Sequence, residues 1–146
     1  MGTWGIGIYQ NDSALDWIAD GEGIQDFIDN IHDRWDELGI NVYIHNDKLK
    51  VSLDFDLEYD TLHQLGSLEQ GILVWCDIVT THKVPIYAYE WYGTLKALES
   101  CHGNTIWLFD WDDDELDERL EIFDDLRRKL REHKKNGYII QREENQ

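Results

Sequence analysis

Asn41-Val42-Tyr43-Ile44-His45-Asn46-Asp47-Lys48-Leu49-Lys50-Val51-Ser52-Leu53-Asp54-Phe55-Asp56-Leu57-Glu58-Tyr59-Asp60 carries the period of a strand and decides against an all-helical fold. Asn41–His45 is short and β-branched, Asn46-Asp47 suits a tight turn, and Leu49–Tyr59 alternates with period two. A hairpin is the expected structure. Leu49, Val51, Leu53, Phe55, Leu57 and Tyr59 point to one face; Ser52, Asp54, Asp56, Glu58 and Asp60 point to the other. Alternate residues on a strand repeat every ~6.6–6.8 Å, so Asp54, Asp56, Glu58 and Asp60 are expected to form an evenly spaced carboxylate row. Only Lys48 and Lys50, at one end, offset it.

Upstream, Asn11-Asp12-Ser13 offers cap oxygens for a short helix over Ala14–Asp20. Ile24, Phe27, Ile28, Ile31, Trp35 and Leu38 then recur at helical spacing, predicting one helix that Gly39 stops. Downstream, Leu65, Leu68, Ile72, Trp75, Cys76 and Val79 share a helical face, although Gly66 and Gly71 each cost about 1 kcal/mol relative to alanine. Val84–Tyr89 reads as a strand with Pro85 near its start, and Tyr92–Ser100 as a short helix ended by Gly103-Asn104. Thr105–Phe109 is a continuous apolar run, expected to be a buried strand. Asp112–Lys135 is the longest helix, striped by Leu116, Leu120, Phe123, Leu126 and Leu130, and Gly137 closes it before a last short strand at Tyr138–Ile140. The expected fold is one α+β domain over residues 1–140: a small antiparallel or mixed sheet, four to five helices, and a frayed tail at 141–146.

The charge is the strongest statement about partners. With 31 acidic and 13 basic side chains the net charge is −18. Residues 1–111 hold 5 basic and 19 acidic groups, so the negative field belongs mainly to the body of the chain. Nucleic acid and anionic membrane are disfavoured as direct ligands, because both require clustered Lys and Arg. The 42% hydrophobic content and seven tryptophans exclude a disordered acidic tail. No apolar run approaches the ~18 residues that span a bilayer. The start, Met1-Gly2-Thr3-Trp4, has neither the basic region nor the apolar stretch of a secretory signal, and two cysteines make no disulfide framework. Both point to a cytoplasmic protein.

Motifs for chemistry are weak. Asp110, Asp112, Asp114, Glu118 and Glu121 fall at positions 1, 3, 5, 9 and 12 of a calcium-loop register. Position 6, which needs glycine, is Glu115, and the apolar stripe starts at Leu116; acids at a helix N-terminus are explained by capping and the dipole. Gly2-Thr3-Trp4-Gly5-Ile6-Gly7 lacks the Lys-Ser/Thr of a phosphate loop. The six histidines show no short metal spacing, and the adjacency of Cys101 and His102 is no evidence of a catalytic pair. Trp17, Trp35 and Trp75 fall on apolar faces and read as core, as does Cys76. Trp91, Tyr92, Tyr87 and Tyr89 cluster near the Pro85 strand and read as packing around it, with some exposed anchors as the alternative. No catalytic residue, cofactor or metal site is assigned.

The opening Met1-Gly2-Thr3-Trp4-Gly5-Ile6-Gly7-Ile8-Tyr9-Gln10-Asn11-Asp12-Ser13-Ala14-Leu15-Asp16-Trp17-Ile18 resembles a bacterial family catalogued as domain of unknown function 4259, whose members start M-G-T-W-G-x-G-x-[FY]-x-N-D-x-A-x-D. The resemblance covers about the first 18–20 residues. It implies a bacterial cytoplasmic protein, and small acidic proteins of this kind look like immunity proteins of polymorphic or contact-dependent toxin systems. The expected function is therefore an acidic binder that neutralises a cognate basic toxin domain such as a nuclease. Contacts are expected at Asp54, Asp56, Glu58 and Asp60, then at Asp112, Asp113 and Asp114. Two alternatives are a metal-dependent hydrolase using the Asp110–Asp114 acids and an acidic mimic of nucleic acid.

Overall fold

A computed structural model describes residues 15, 17, 18, 23–53, 61–108 and 113–140, with the backbone alone for 61–67 and 102–108. Leu15, Trp17 and Ile18 are helical. The expected helix from Ile24 to Leu38 is in fact two, α1 (Ile24–Asp29) and α2 (Ile31–Glu37). Asn30 separates them, at φ −107° and ψ 23°. Its side-chain amide donates to the Asp26 carbonyl at 2.9 Å, a local bond that competes with continuation of the helix. Phe27, Ile31, Trp35 and Leu38 are all buried across the break.

Strands β1 (Ile40–His45) and β2 (Lys48–Leu53) form the expected hairpin. Asn46 and Asp47 both take positive φ, 54° and 62°, as the favoured two-residue hairpin turn requires. The register pairs Ile40 with Leu53, Val42 with Val51 and Ile44 with Leu49, which puts the apolar side chains on one face. The rest of the expected strand, from Asp54 to Tyr59, lies outside the described residues.

Helix α3 (Thr61–Thr81) is longer than its apolar face suggested, and every residue from Leu68 to Cys76 is buried. It is thus the central helix, not an amphipathic surface one. Gly71 is required there: a Cβ at that position would fall 2.4 Å from Cε2 of Trp17. The close approach offsets the intrinsic cost of glycine in a helix. Trp75 is fully buried and its indole donates to Thr94 Oγ1 at 2.9 Å, so the largest core side chain leaves no polar atom unsatisfied.

The strand expected at Val84–Tyr89 shrinks to β3 (Ile86–Tyr87), because helix α4 (Ala88–Leu108) starts at once. Glu90 sets that start. Its carboxylate accepts the backbone N–H of Tyr87 at 2.9 Å, the returning half of a capping box. The same helix runs through Gly103 and Asn104, so the strand expected at Thr105–Phe109 is corrected: Thr105 to Leu108 are helical. A short apolar run does not distinguish a strand from a buried helix by periodicity. Helix α5 (Asp113–Lys135) follows, and β4 (Ile139–Ile140) pairs in parallel with β3. Among the described residues the strands make two separate two-stranded sheets rather than one. The chain is an α+β domain in which α3, α4 and α5 pack on one another around a core that includes Ile72, Trp75, Leu98, Phe123 and Leu126. Burying each such side chain contributes ~1.5–3 kcal/mol.

Candidate acidic interface

Helix α5 is held against the core by Phe123, Leu126 and Leu130, all buried. Two polar residues share that buried side, Arg119 and His133. Arg119 Nη2 donates to Glu69 Oε2 of α3 at 2.6 Å, with the two side chains 1% and 3% exposed. The inward turn of Arg119 has a consequence for the surface. Over the first nine residues of α5, Asp113, Asp114, Glu115, Asp117, Glu118 and Glu121 are all exposed, and the one cation among them is spent inside. Of these, Asp113, Asp114, Asp117, Glu118 and Glu121 make no ion pair among the described residues. Eight steps along a helix cover about 12 Å, so this is a dense anionic surface. Like charges four apart on a helix cost about 0.2–0.5 kcal/mol per pair, which the favourable dipole at the first turn partly offsets.

The second half of α5 is different. Arg127 pairs with Asp124 at 2.6 Å, Arg128 with Asp125 and with Glu132 (3.4 Å), and Lys129 with Asp125 (3.4 Å) and Asp77 of α3 (3.9 Å). Burial would raise the Asp125 carboxyl, but the Arg128 hydrogen bond and the Lys129 charge outweigh it and hold it below the usual range. One helix thus carries an acidic half and a basic half, in which Asp124, Asp125 and Glu132 are paired with arginine or lysine. Asp113 and Asp114 of the expected contacts lie in the former; Asp54, Asp56, Glu58, Asp60 and Asp112 lie outside the described residues.

A second titratable group was not legible in the sequence. Both oxygens of the buried Glu90 carboxylate lie against His32 Nδ1, at 3.1 and 3.2 Å. Burial pushes the Glu90 carboxyl up, opposed by the Tyr87 N–H and the His32 ring. The imidazole packs 5.1 Å from the Tyr87 ring, which stacks on Tyr89 at 5.7 Å. Fifty-eight positions separate the pair, and no motif announces it. Of the aromatic group near Pro85, Tyr89 and Trp91 pack against the core, and two members tie α4 to its neighbours: Trp91 Nε1 donates to the Leu130 carbonyl at 2.9 Å and the Tyr92 hydroxyl to the Leu49 carbonyl at 2.8 Å.

Cys76 and Cys101 are free thiols, both buried. Burial pushes each thiol well above its usual range, so neither is a ready nucleophile. Among the described residues no three His, Cys, Asp or Glu side chains converge to hold a metal ion, and no helix is long and apolar enough to cross a membrane. Comparison of the chain with family models, with curated proteins and with solved structures returns no match.

Proposed function

We propose that this chain is an immunity protein of the bacterial cytoplasm, which binds a cognate basic toxin domain, such as a nuclease, and covers its active site. The observation that carries the reading is the charge imbalance within α5. The helix dipole accounts for acids in the first turn, but its effect fades within that turn. Asp117, Glu118 and Glu121 lie beyond it, exposed and in no ion pair among the described residues, and they extend the anionic surface that starts at Asp113. A nuclease is basic because it grips phosphates, so such a surface steers it into contact. Inhibition then needs no chemistry from this chain. The test is capture of partners by the tagged full chain from its native cells, at low and moderate salt. A single basic partner, toxic when expressed alone and harmless with this chain, is the expected result. If the captured chains are several unrelated nucleic-acid-binding proteins, the chain is an acidic mimic instead. Stoichiometric divalent metal in the purified protein would favour the hydrolase reading that uses Asp110–Asp114.

A further inference from the structure

The end of the bundle where the last turns of α3 and α5 meet holds a half-open pocket of about 200 Å³. Thr80, Thr81 and Lys83 border it from one side, and Lys129, Glu132 and His133 from the other, with Asn136 and Tyr138 completing the wall. That volume lies below the ~300–1,000 Å³ of drug-sized sites, so an occupant is small. His133 is 3% exposed, stacked on Tyr138 with ring centroids 5.1 Å apart. Its Nε2 lies 2.9 Å from the Val84 carbonyl and must donate to it, which leaves Nδ1 with the lone pair. Nothing among the described residues donates to Nδ1. That nitrogen can accept a hydrogen bond from a small molecule in the pocket that His133 borders.

The charges around the pocket choose between ligand classes. Lys83 is exposed and in no ion pair among the described residues, whereas Lys129 is already engaged by Asp77 and Asp125. Glu132 adds a negative charge. Two helix C-termini also converge here, each carrying about half a negative charge. The backbone bonds that close α3 end at the carbonyls of Ile78 and Val79, leaving those of Thr80 and Thr81 beyond them. A bare anion meets one free cation and several negative groups; a bare cation meets Lys83. A molecule with both signs satisfies each end.

We propose that this pocket binds a small zwitterion of the α-amino acid class, with its carboxylate at Lys83 and its ammonium among the helix-end carbonyls and Glu132. A ligand N–H then also meets the lone pair on His133 Nδ1. The site is separate from the acidic half of α5, and its occupancy does not depend on the immunity reading.

The test is a two-dimensional amide NMR titration of the full chain with a panel of small amino acids, with acetate and methylammonium as single-charge probes. Saturable shifts confined to residues 80–84 and 132–138 are expected for at least one amino acid, at millimolar concentration or below, and for neither control. Lys83→Asn removes the charge with a residue that tolerates the positive φ of 55° at this position. It should weaken binding about tenfold while leaving the rest of the spectrum in place. The proposal is overturned if no amino acid moves these residues, if acetate binds as tightly as the best of them, or if Lys83→Asn binds unchanged.

Discussion

Arg119 of α5 and Glu69 of α3 form an ion pair at 2.6 Å inside the core, and that contact turns inward the one cation among the first nine residues of α5. Desolvating two charges is expensive, and each ion offsets part of that cost for the other. The cost of this arrangement inside is matched by an effect outside. The acidic half of α5 is acidic because its arginine is elsewhere.

Breaking the pair from one side should therefore be severe. Glu69→Gln or Arg119→Met removes one buried charge from beside the other, and a loss of about 3–5 kcal/mol is expected in urea unfolding. The double variant Glu69→Leu/Arg119→Met should recover much of that loss. Singles that unfold like the parent would show that the pair is not buried in solution.

Charge reversal at the acidic surface should separate binding from stability. Asp117→Lys/Glu118→Lys changes exposed residues beyond the first turn and in no ion pair among the described residues, so the unfolding midpoint should move little. Association with the captured basic partner should slow by about tenfold or more at low salt, and the gap should close as salt rises. Stopped-flow or surface binding kinetics measure it, and unchanged association rates would remove α5 from the interface.

Gly71→Ala should destabilise despite the better helix propensity of alanine. The new Cβ would meet the Trp17 indole at 2.4 Å, and overpacking of that kind costs about 1–3 kcal/mol. Tryptophan fluorescence and a thermal melt read both the displacement and the loss. A raised melting temperature would show that Trp17 does not sit on this helix.

The pH dependence should carry the mark of His133. Burial lowers its pKa from the usual 6.5, against the opposing effect of the Val84 carbonyl. The folded state thus binds the proton more weakly than the unfolded chain. The stability this contributes is fully present above pH 6.5 and is lost as pH falls through the folded value. His133→Gln should flatten the acid side of a stability–pH profile measured by urea unfolding. An identical slope in the variant would place the titration on another group.

The hairpin turn at Asn46-Asp47 was legible from six residues, because turn chemistry is local and only those residues set it. The stripe of α5 was legible for the same reason. Asn30 was not, since an asparagine within an apolar period breaks a helix only when its side chain finds the Asp26 carbonyl. Nor was the helical state of Thr105 to Leu108, where packing overrides a locally ambiguous run. Arg119 lies in register with Leu116 and Phe123, so its burial had a signal in the spacing; its partner Glu69, fifty positions away, had none.

By itself the sequence determined the helical and strand periods, the α+β class and the excess of negative charge, because these depend on composition and on neighbours within a turn or two. Tertiary structure alone decided which charges are used up and which are left over. Arg119 is drawn in by Glu69, Lys129 is shared between Asp77 and Asp125, and Glu90 is capped by the Tyr87 N–H and faced by His32. Coulombic and desolvation energies depend on distance and burial, and neither can be read along a chain whose interacting residues lie about fifty positions apart.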